Sequence, residues 1–187
     1  MYNKYVKRLL DFIISIILII ILLPLILITF LITLIHLGFP IFDIRFPREG
    51  KNKKPFYMLK FRTRVYDTGD LWGRKTKLSY AIDKLRLNEL PQLFNVLKGD
   101  MSFVGPRAFI CGEKLPEGKI SKKRYLVKPG LTGLFQIKKG GTHKDKLQCD
   151  IEYYDNLNFM LDLKIFLKTP IILIKKVFNK KNKPEYV

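Results

Sequence analysis

Residues 12–42 read FIISIILIIILLPLILITFLITLIHLGFPIF and contain no lysine, arginine, aspartate or glutamate. A bilayer's hydrocarbon core, about 30 Å thick, takes about 20 helical residues. The stretch is therefore long enough to enter a membrane, and it exceeds the roughly 7–15 apolar residues of a secretory signal. No small-residue cleavage site follows it. Both flanks are basic, with Lys4, Lys7 and Arg8 before and Arg45, Arg48, Lys51, Lys53 and Lys54 after, and positive residues stay on the cytoplasmic side. Two ends on one side require entry and return. Pro24 offers the bend, because it deletes a backbone donor and clashes with the carbonyl four residues earlier. The reading is a re-entrant helix-break-helix anchor over residues 1–42. A kinked spanning helix is the alternative, since membrane helices accept proline where hydroxyls such as those of Thr29 and Thr33 stand by. His36 reads as an interfacial residue.

A chain of 187 residues holds one small domain beside such an anchor, which excludes multidomain synthases and repeat arrays. Thirty-five Lys and Arg against 16 Asp and Glu give a net charge of +19, so the partners are anionic: nucleic acid, acidic lipid or phosphorylated substrate. No nucleic-acid motif is present, and basic residues on a membrane-inserted chain gain about 1 kcal/mol each at an anionic leaflet; nucleic acid is not an expected partner. Cys111 and Cys149 have neither disulfide-scaffold nor zinc spacing, and a reducing compartment fits them.

Within residues 43–187, PFYMLKFRTRV (55–65) alternates apolar and basic residues and predicts a strand or extended edge. Residues 66–78 read as a loop. In ELPQLFNVLKGD, Leu90, Leu93, Phe94 and Leu97 repeat at helical spacing, with Lys98 in the last turn and Gly99 as the stop. Asn88 stands where that helix begins and is a good N-cap type; Glu89 in the first turn suits the helix dipole. Residues 102–106 predict a turn, and KPGLTGLFQI (128–137) a loop followed by a strand. Residues 157–178 mix bulky apolar side chains with Lys164, Lys168, Lys175 and Lys176 around Pro170, the pattern of helices lying in the membrane interface. Tyr153 and Tyr154 read as packing residues.

LNELPQLFNVLKGDMSFVGPR (87–107) resembles the signature of the bacterial sugar transferases, the monotopic polyprenol-phosphate phosphoglycosyl transferases. KFRT (60–63), KPGLTGLFQ (128–136), DIEYYDN (150–156) and LDLKI (161–165) resemble further blocks of that family in the same order. The resemblance implies an α/β-type small catalytic domain over 43–187, held at the cytoplasmic face of the bacterial inner membrane by the re-entrant helix and by interfacial amphipathic helices. It implies transfer of a sugar phosphate from a UDP-sugar to polyprenol phosphate with Mg²⁺. An Asp-Glu pair opening the helix would supply the nucleophile, whose attack on the β-phosphate releases UMP. Lys60, Arg62, Arg107 and Lys128 are the implied phosphate-binding cations, and Arg8 beside the anchor is placed to meet a lipid phosphate.

The pair reads Asn88-Glu89 in this chain. A carboxamide is a feeble nucleophile and a weaker Mg²⁺ ligand than a carboxylate. Five residues earlier Asp83 stands where the family commonly has an arginine, and Lys138-Lys139-Gly140 replaces an asparagine-glycine-arginine. Glu89 or a nearby carboxylate is then expected to take the nucleophilic part, with Glu89 as the metal ligand. Two alternatives follow from the same substitution. A polyprenyl-phosphate-linked acceptor attacks the anomeric carbon directly and releases UDP, with Glu89 or Asp83 as base or metal ligand, or the protein is a non-catalytic scaffold. Residues 142–148 are read as a loop that sets sugar specificity.

Overall fold

The structure, a computed structural model, describes residues 2–66, 73–113, 122–138 and 143–178. After a π-helical turn, Tyr2–Val6, the apolar stretch forms a single helix, α1 (Lys7–Leu37). It is the one described helix long and apolar enough to cross a membrane. Pro24 lies inside α1, on its exposed side, and does not end it. The helix runs on through the position where the sequence predicts a break.

The polarity of α1 is inverted relative to a soluble helix. Its buried residues are mostly polar, Lys7, Asp11, Ser15, Thr29 and Thr33, together with Ile26. Leu9, Ile13, Ile17, Ile20, Leu27, Ile28, Leu31 and Ile35 are exposed. Steps of three and four along the buried set place it on one face, which packs on the rest of the protein. Near the N-terminus Lys7 meets Asp162 at 2.5 Å, and Asp11 accepts from Ser102 Oγ and from the Phe103 amide, each at 3.1 Å. At the other end His36 Nε2 lies 2.7 Å from Thr76 Oγ1, and the Arg62 guanidinium donates to the carbonyls of Leu37 and Gly38.

The remaining residues are mainly helical, with two small sheets. The first pairs β1 (Arg48–Glu49) antiparallel with β2 (Pro55–Phe56). The helix α2 (Lys77–Lys84) starts at Thr76, whose hydroxyl accepts from the Ser79 amide at 3.1 Å. A 3-10 turn, Leu87–Glu89, precedes α3 (Gln92–Lys98), which ends at Gly99 with φ 99°, the left-handed conformation that glycine adopts without a Cβ penalty. Next, β3 (Ser102–Val104) pairs parallel with β4 (Gly130–Thr132) in the register Ser102↔Gly130 and Val104↔Thr132. The chain then folds into α4 (Leu134–Ile137), α5 (His143–Asp155) and α6 (Phe159–Phe178).

Leu93 and Val96 of α3, Met101, Phe103, Val104, Val127, Leu134, Cys149, Tyr153 and Ile165 form the core. Tyr153 is buried there and donates to Val104 O at 3.1 Å and to Asp162 Oδ1 at 2.7 Å, so its packing role holds. Cys111 and Cys149 are free thiols.

Several local expectations are corrected. The residues read as a turn at 102–106 begin with buried β3, and the strand expected to follow KPG stops at Thr132, with LFQI turning into α4. The reason is close packing of main chains: a Cβ on Gly130 would stand 2.1 Å from the Gly105 nitrogen, so these glycines bring two backbone segments into contact. Only Pro55–Phe56 of the expected strand at 55–65 pairs as a strand; Phe61 and Val65 form isolated bridges to Phe42 and Arg74. Of the expected loop at 142–148, the described part is helical within α5. Thr142, Lys139, Gly140 and residues 67–72 of the other expected loop lie outside the described residues. Among the described residues, two small sheets and six α-helices make the α/β-type expectation hold only as a helical fold with minor strand content. In α6 Pro170 is internal, and Phe159, Met160, Leu167, Ile171 and Ile174 are exposed.

Candidate active site

Backbone hydrogen bonds assemble the site from three distant segments. The Asp43 amide donates to Lys60 O at 2.9 Å, the Arg62 amide to Ile41 O at 2.7 Å, and the Phe61 amide to Asn88 O at 2.9 Å. Phe61 is buried and stacks on Phe42 with ring centroids 5.5 Å apart. This leaves a cavity of about 260 Å³ lined by Asp43, Arg45, Arg48, Lys60, Arg64, Lys75, Asp83 and Asn88, with Phe46, Met58, Phe61, Thr63 and Ile110 completing its wall. Five cations against two carboxylates suit a polyanion.

Two of the cations, Lys60 and Arg48, are held against their own preference. Burial pushes Lys60 below the ordinary lysine range; Glu89 opposes this, while Arg48 and Arg107 add to it. Arg48 is pushed down by burial and then by Arg107. Like charges gathered in a half-buried cavity are stabilised by any anion that enters. Asp43 is committed: burial pushes it up, but Arg45 at 3.0 Å and the Tyr66 hydroxyl at 2.9 Å bring it below the ordinary carboxylate range. Asp83 pairs with Lys75 and accepts a long 3.3 Å bond from Thr63 Oγ1.

Asn88 does not cap a helix. Arg86, in the left-handed region at φ 60°, precedes the 3-10 turn, and Pro91 precedes α3. The Asn88 side chain is 7% exposed and its Oδ1 has no hydrogen-bond partner in the protein. A buried amide oxygen left bare costs about 1–3 kcal/mol unless a ligand supplies the partner.

The remaining expected residues divide. Glu89 is not among the cavity-lining side chains and pairs with Arg86 at 2.6 Å. Arg62, expected to bind phosphate, is not among the cavity-lining residues, and its guanidinium caps the C-terminal end of α1. Lys128 lies apart from the cavity beside Arg8: a Cβ on Gly99 would stand 3.1 Å from the Arg8 guanidinium carbon and 3.2 Å from Lys128 Nζ. Arg8 donates to Val96 O and Leu97 O at 2.7 Å, capping α3. The sequence missed Asp43, Arg45, Arg48, Arg64 and Lys75. The basic cluster after the anchor was the available signal, and it reads as flanking charge until the bridge Phe42↔Phe61 folds it back.

Arg107 is exposed and close enough to depress both Lys60 and Arg48. Its main chain is clamped by a buried pair: Arg124 Nη2 donates to Arg107 O at 2.5 Å, and Asp150 lies 3.2 Å from Arg124 while accepting from the Arg107 backbone. Burial pushes Asp150 up to about 6 despite both partners. Since its folded value exceeds the ordinary 3.8, its contribution to stability is complete below that value and is lost as pH rises through about 6. Asp150→Asn is expected to remove a fall in stability of roughly 3 kcal/mol between about pH 4 and 6. Thermal unfolding across that range checks it, and an unchanged slope refutes it.

The family model described as Bacterial sugar transferase matches residues 2–176. The chain is 39% identical over 172 residues to a Bacillus subtilis protein named Uncharacterized sugar transferase EpsL, covering 87% of this chain and 84% of that one. It is 35% identical over 145 residues to the UDP-glucose:undecaprenyl-phosphate glucose-1-phosphate transferase of Caulobacter vibrioides, covering 65% of this chain and 52% of the relative. A UDP-N-acetylgalactosamine-undecaprenyl-phosphate N-acetylgalactosaminephosphotransferase of Aeromonas hydrophila is 34% identical over 143 residues, or 65% of this chain and 33% of the relative. The chain thus spans a third to a half of these two substrate-named relatives and most of the Bacillus protein.

Proposed function

Because the chain belongs to the bacterial sugar transferase family, we propose that it moves a sugar phosphate from a UDP-sugar to polyprenol phosphate at the cytoplasmic face of a bacterial inner membrane. The observation that carries this reading is the cavity itself: Lys60, Arg48 and Lys75 face a space that Asn88 and Asp83 also line. Cations fixed on several segments grip a diphosphate in one orientation and offset the charge that builds on it during transfer. Exposed Arg107 presents a fork matched to phosphate oxygens near the same cations. Attack on the β-phosphorus breaks its bond to the oxygen bridging the α-phosphate, and UMP departs.

Magnesium fits this donor set. The Asp43 carboxylate and the bare amide oxygen of Asn88 are hard oxygen donors from residues that line one cavity, and Mg²⁺ is commonly held by one or two carboxylates plus substrate phosphates. When bound, the ion would neutralise diphosphate charge. Among the described residues no three His, Cys, Asp or Glu side chains form a cage, so an ion held here would draw further ligands from the substrate's oxygens. Glu89, expected as a ligand, faces Arg86.

The monotopic placement is supported by α1. Both of its ends are tied to the same body, through Lys7, Arg8 and Asp11 at one and through Leu37 and His36 at the other. Its apolar face is turned outward, as are Phe159, Met160, Leu167, Ile171 and Ile174 of α6. Together they offer one greasy surface suited to lie in a single leaflet.

The test is incubation of detergent-solubilised protein with a panel of UDP-sugars, undecaprenyl phosphate and Mg²⁺. UMP is the expected nucleotide product. Release of UDP would overturn the proposal in favour of direct glycosyl transfer, and release of neither nucleotide would overturn it in favour of a binding or scaffolding role.

A further inference from the structure

We propose that Asp83 is the nucleophile that carries the sugar phosphate between the two substrates, which rests on the transfer reading above. A soluble donor and a membrane-embedded acceptor are handled one at a time when the protein holds the transferred group covalently. That needs an ionised side-chain oxygen facing the diphosphate, and Asn88 supplies none.

Four described carboxylates stand near the cations; one of them, Glu113, lies outside the cavity lining and accepts from the Ile110 amide at 3.1 Å. Asp43 lines the cavity, but its oxygens are engaged by Arg45 at 3.0 Å and by the Tyr66 hydroxyl at 2.9 Å. Glu89 is outside the lining and is drawn to Arg86 at 2.6 Å. Asp83 lines the cavity, its Oδ2 is held by Lys75, and among the described residues its Oδ1 accepts only the 3.3 Å bond from Thr63. One oxygen is thus fixed and the other is left with lone pairs directed by that fixation. The N-cap at Thr76 and the pairing with Lys75 set the last turn of α2 against the cavity.

The step balances. A carboxylate oxygen of Asp83 bonds to the β-phosphorus of the UDP-sugar, the bond from that phosphorus to the bridging oxygen breaks, and UMP leaves with the electron pair. An acyl phosphate bearing the sugar remains. An oxygen of polyprenol phosphate then attacks the same phosphorus, the acyl oxygen leaves, and the free carboxylate returns with a polyprenyl diphosphate sugar as product.

Protein incubated with UDP-sugars labelled in the β-phosphate, with Mg²⁺ and without lipid, is expected to retain label that hydroxylamine removes. Trypsin cuts after Lys77 and Lys84 and again after Arg86 and Lys98, so Asp83 is the sole acidic residue of peptide 78–84 while Glu89 falls in peptide 87–98. Label in 78–84 supports the assignment. Asp83→Asn is expected to lower UMP release by about a hundredfold or more while KM for the UDP-sugar moves on the order of threefold or less. Mapping the unsubstituted protein keeps the assignment testable if that variant unfolds. Label in 87–98, or lipid-dependent UMP release with no label at all, overturns Asp83 and leaves the transfer reading standing. Absence of UMP release under every condition overturns the transfer reading itself.

Discussion

Asn88→Asp is expected to raise UMP release by about a hundredfold or more over the unsubstituted chain, because it adds to the cavity a second carboxylate that, unlike Asp83, has no lysine paired with it. Asn88 lines the cavity, and its amide oxygen is buried and without a partner in the protein. Exchanging the amide for a carboxylate puts negative charge beside Lys60, whose ammonium is pushed down by burial and by Arg48 and Arg107. An opposite charge at that range returns the lysine toward its ordinary value, so the exchange relieves the cations instead of burying a lone anion. Covalent label is expected to move to peptide 87–98, and in this background Asp83→Asn is expected to cost less than about tenfold, since two alternative nucleophiles do not add. Unchanged turnover with no label in that peptide would show that position 88 does not face the phosphorus.

Lys7→Met is expected to cost about 3–5 kcal/mol of stability, the usual loss when one partner of a buried ion pair is removed and the other remains. Lys7 and Asp162 are 7% and 8% exposed in their side chains. Asp162 also accepts from the Tyr2 hydroxyl at 2.6 Å and the Tyr153 hydroxyl at 2.7 Å, so it stays in place when the ammonium goes. In detergent the unfolding midpoint should fall by about 10 °C, using about 2–4 °C per kcal/mol for a chain of this size. Pairing Lys7→Met with Asp162→Leu should restore much of the loss, since an apolar pair of similar volume often matches a buried ion pair. A fall below about 2 °C in the single variant would mean that water reaches Asp162 and that α1 and α6 are not joined through this pair.

What could be read without coordinates follows from periodicity. Leu90, Leu93, Phe94 and Leu97 announce α3, and Gly99 ends it, because local spacing and one backbone requirement decide both. The apolar stretch announces α1, but the effect of Pro24 depends on what surrounds the freed carbonyl, and the helix continues through it. Lys60 and Arg62 are two apart and would share a face in a regular strand. They diverge because the segment holds only single bridges, which leaves Arg62 free to turn to the carbonyls of Leu37 and Gly38. Asp83 and Asn88 were legible as chemistry. The cavity between them was not, since it depends on Asp43 and Lys60 meeting across a long connection.

The docking of α1 at both ends bears on how a host membrane can influence this protein. A rod that pierces both leaflets feels bilayer thickness through hydrophobic mismatch. In the monotopic placement proposed above, a rod fastened fore and aft to one body, with its oily flank outward, displaces lipid from a single monolayer. Acyl-chain length is then a poor lever on turnover, whereas lateral crowding of the headgroups resists the wedge directly. Vesicles differing in curvature at constant chain length should change occupancy of the membrane-bound state more than vesicles differing in chain length at constant curvature.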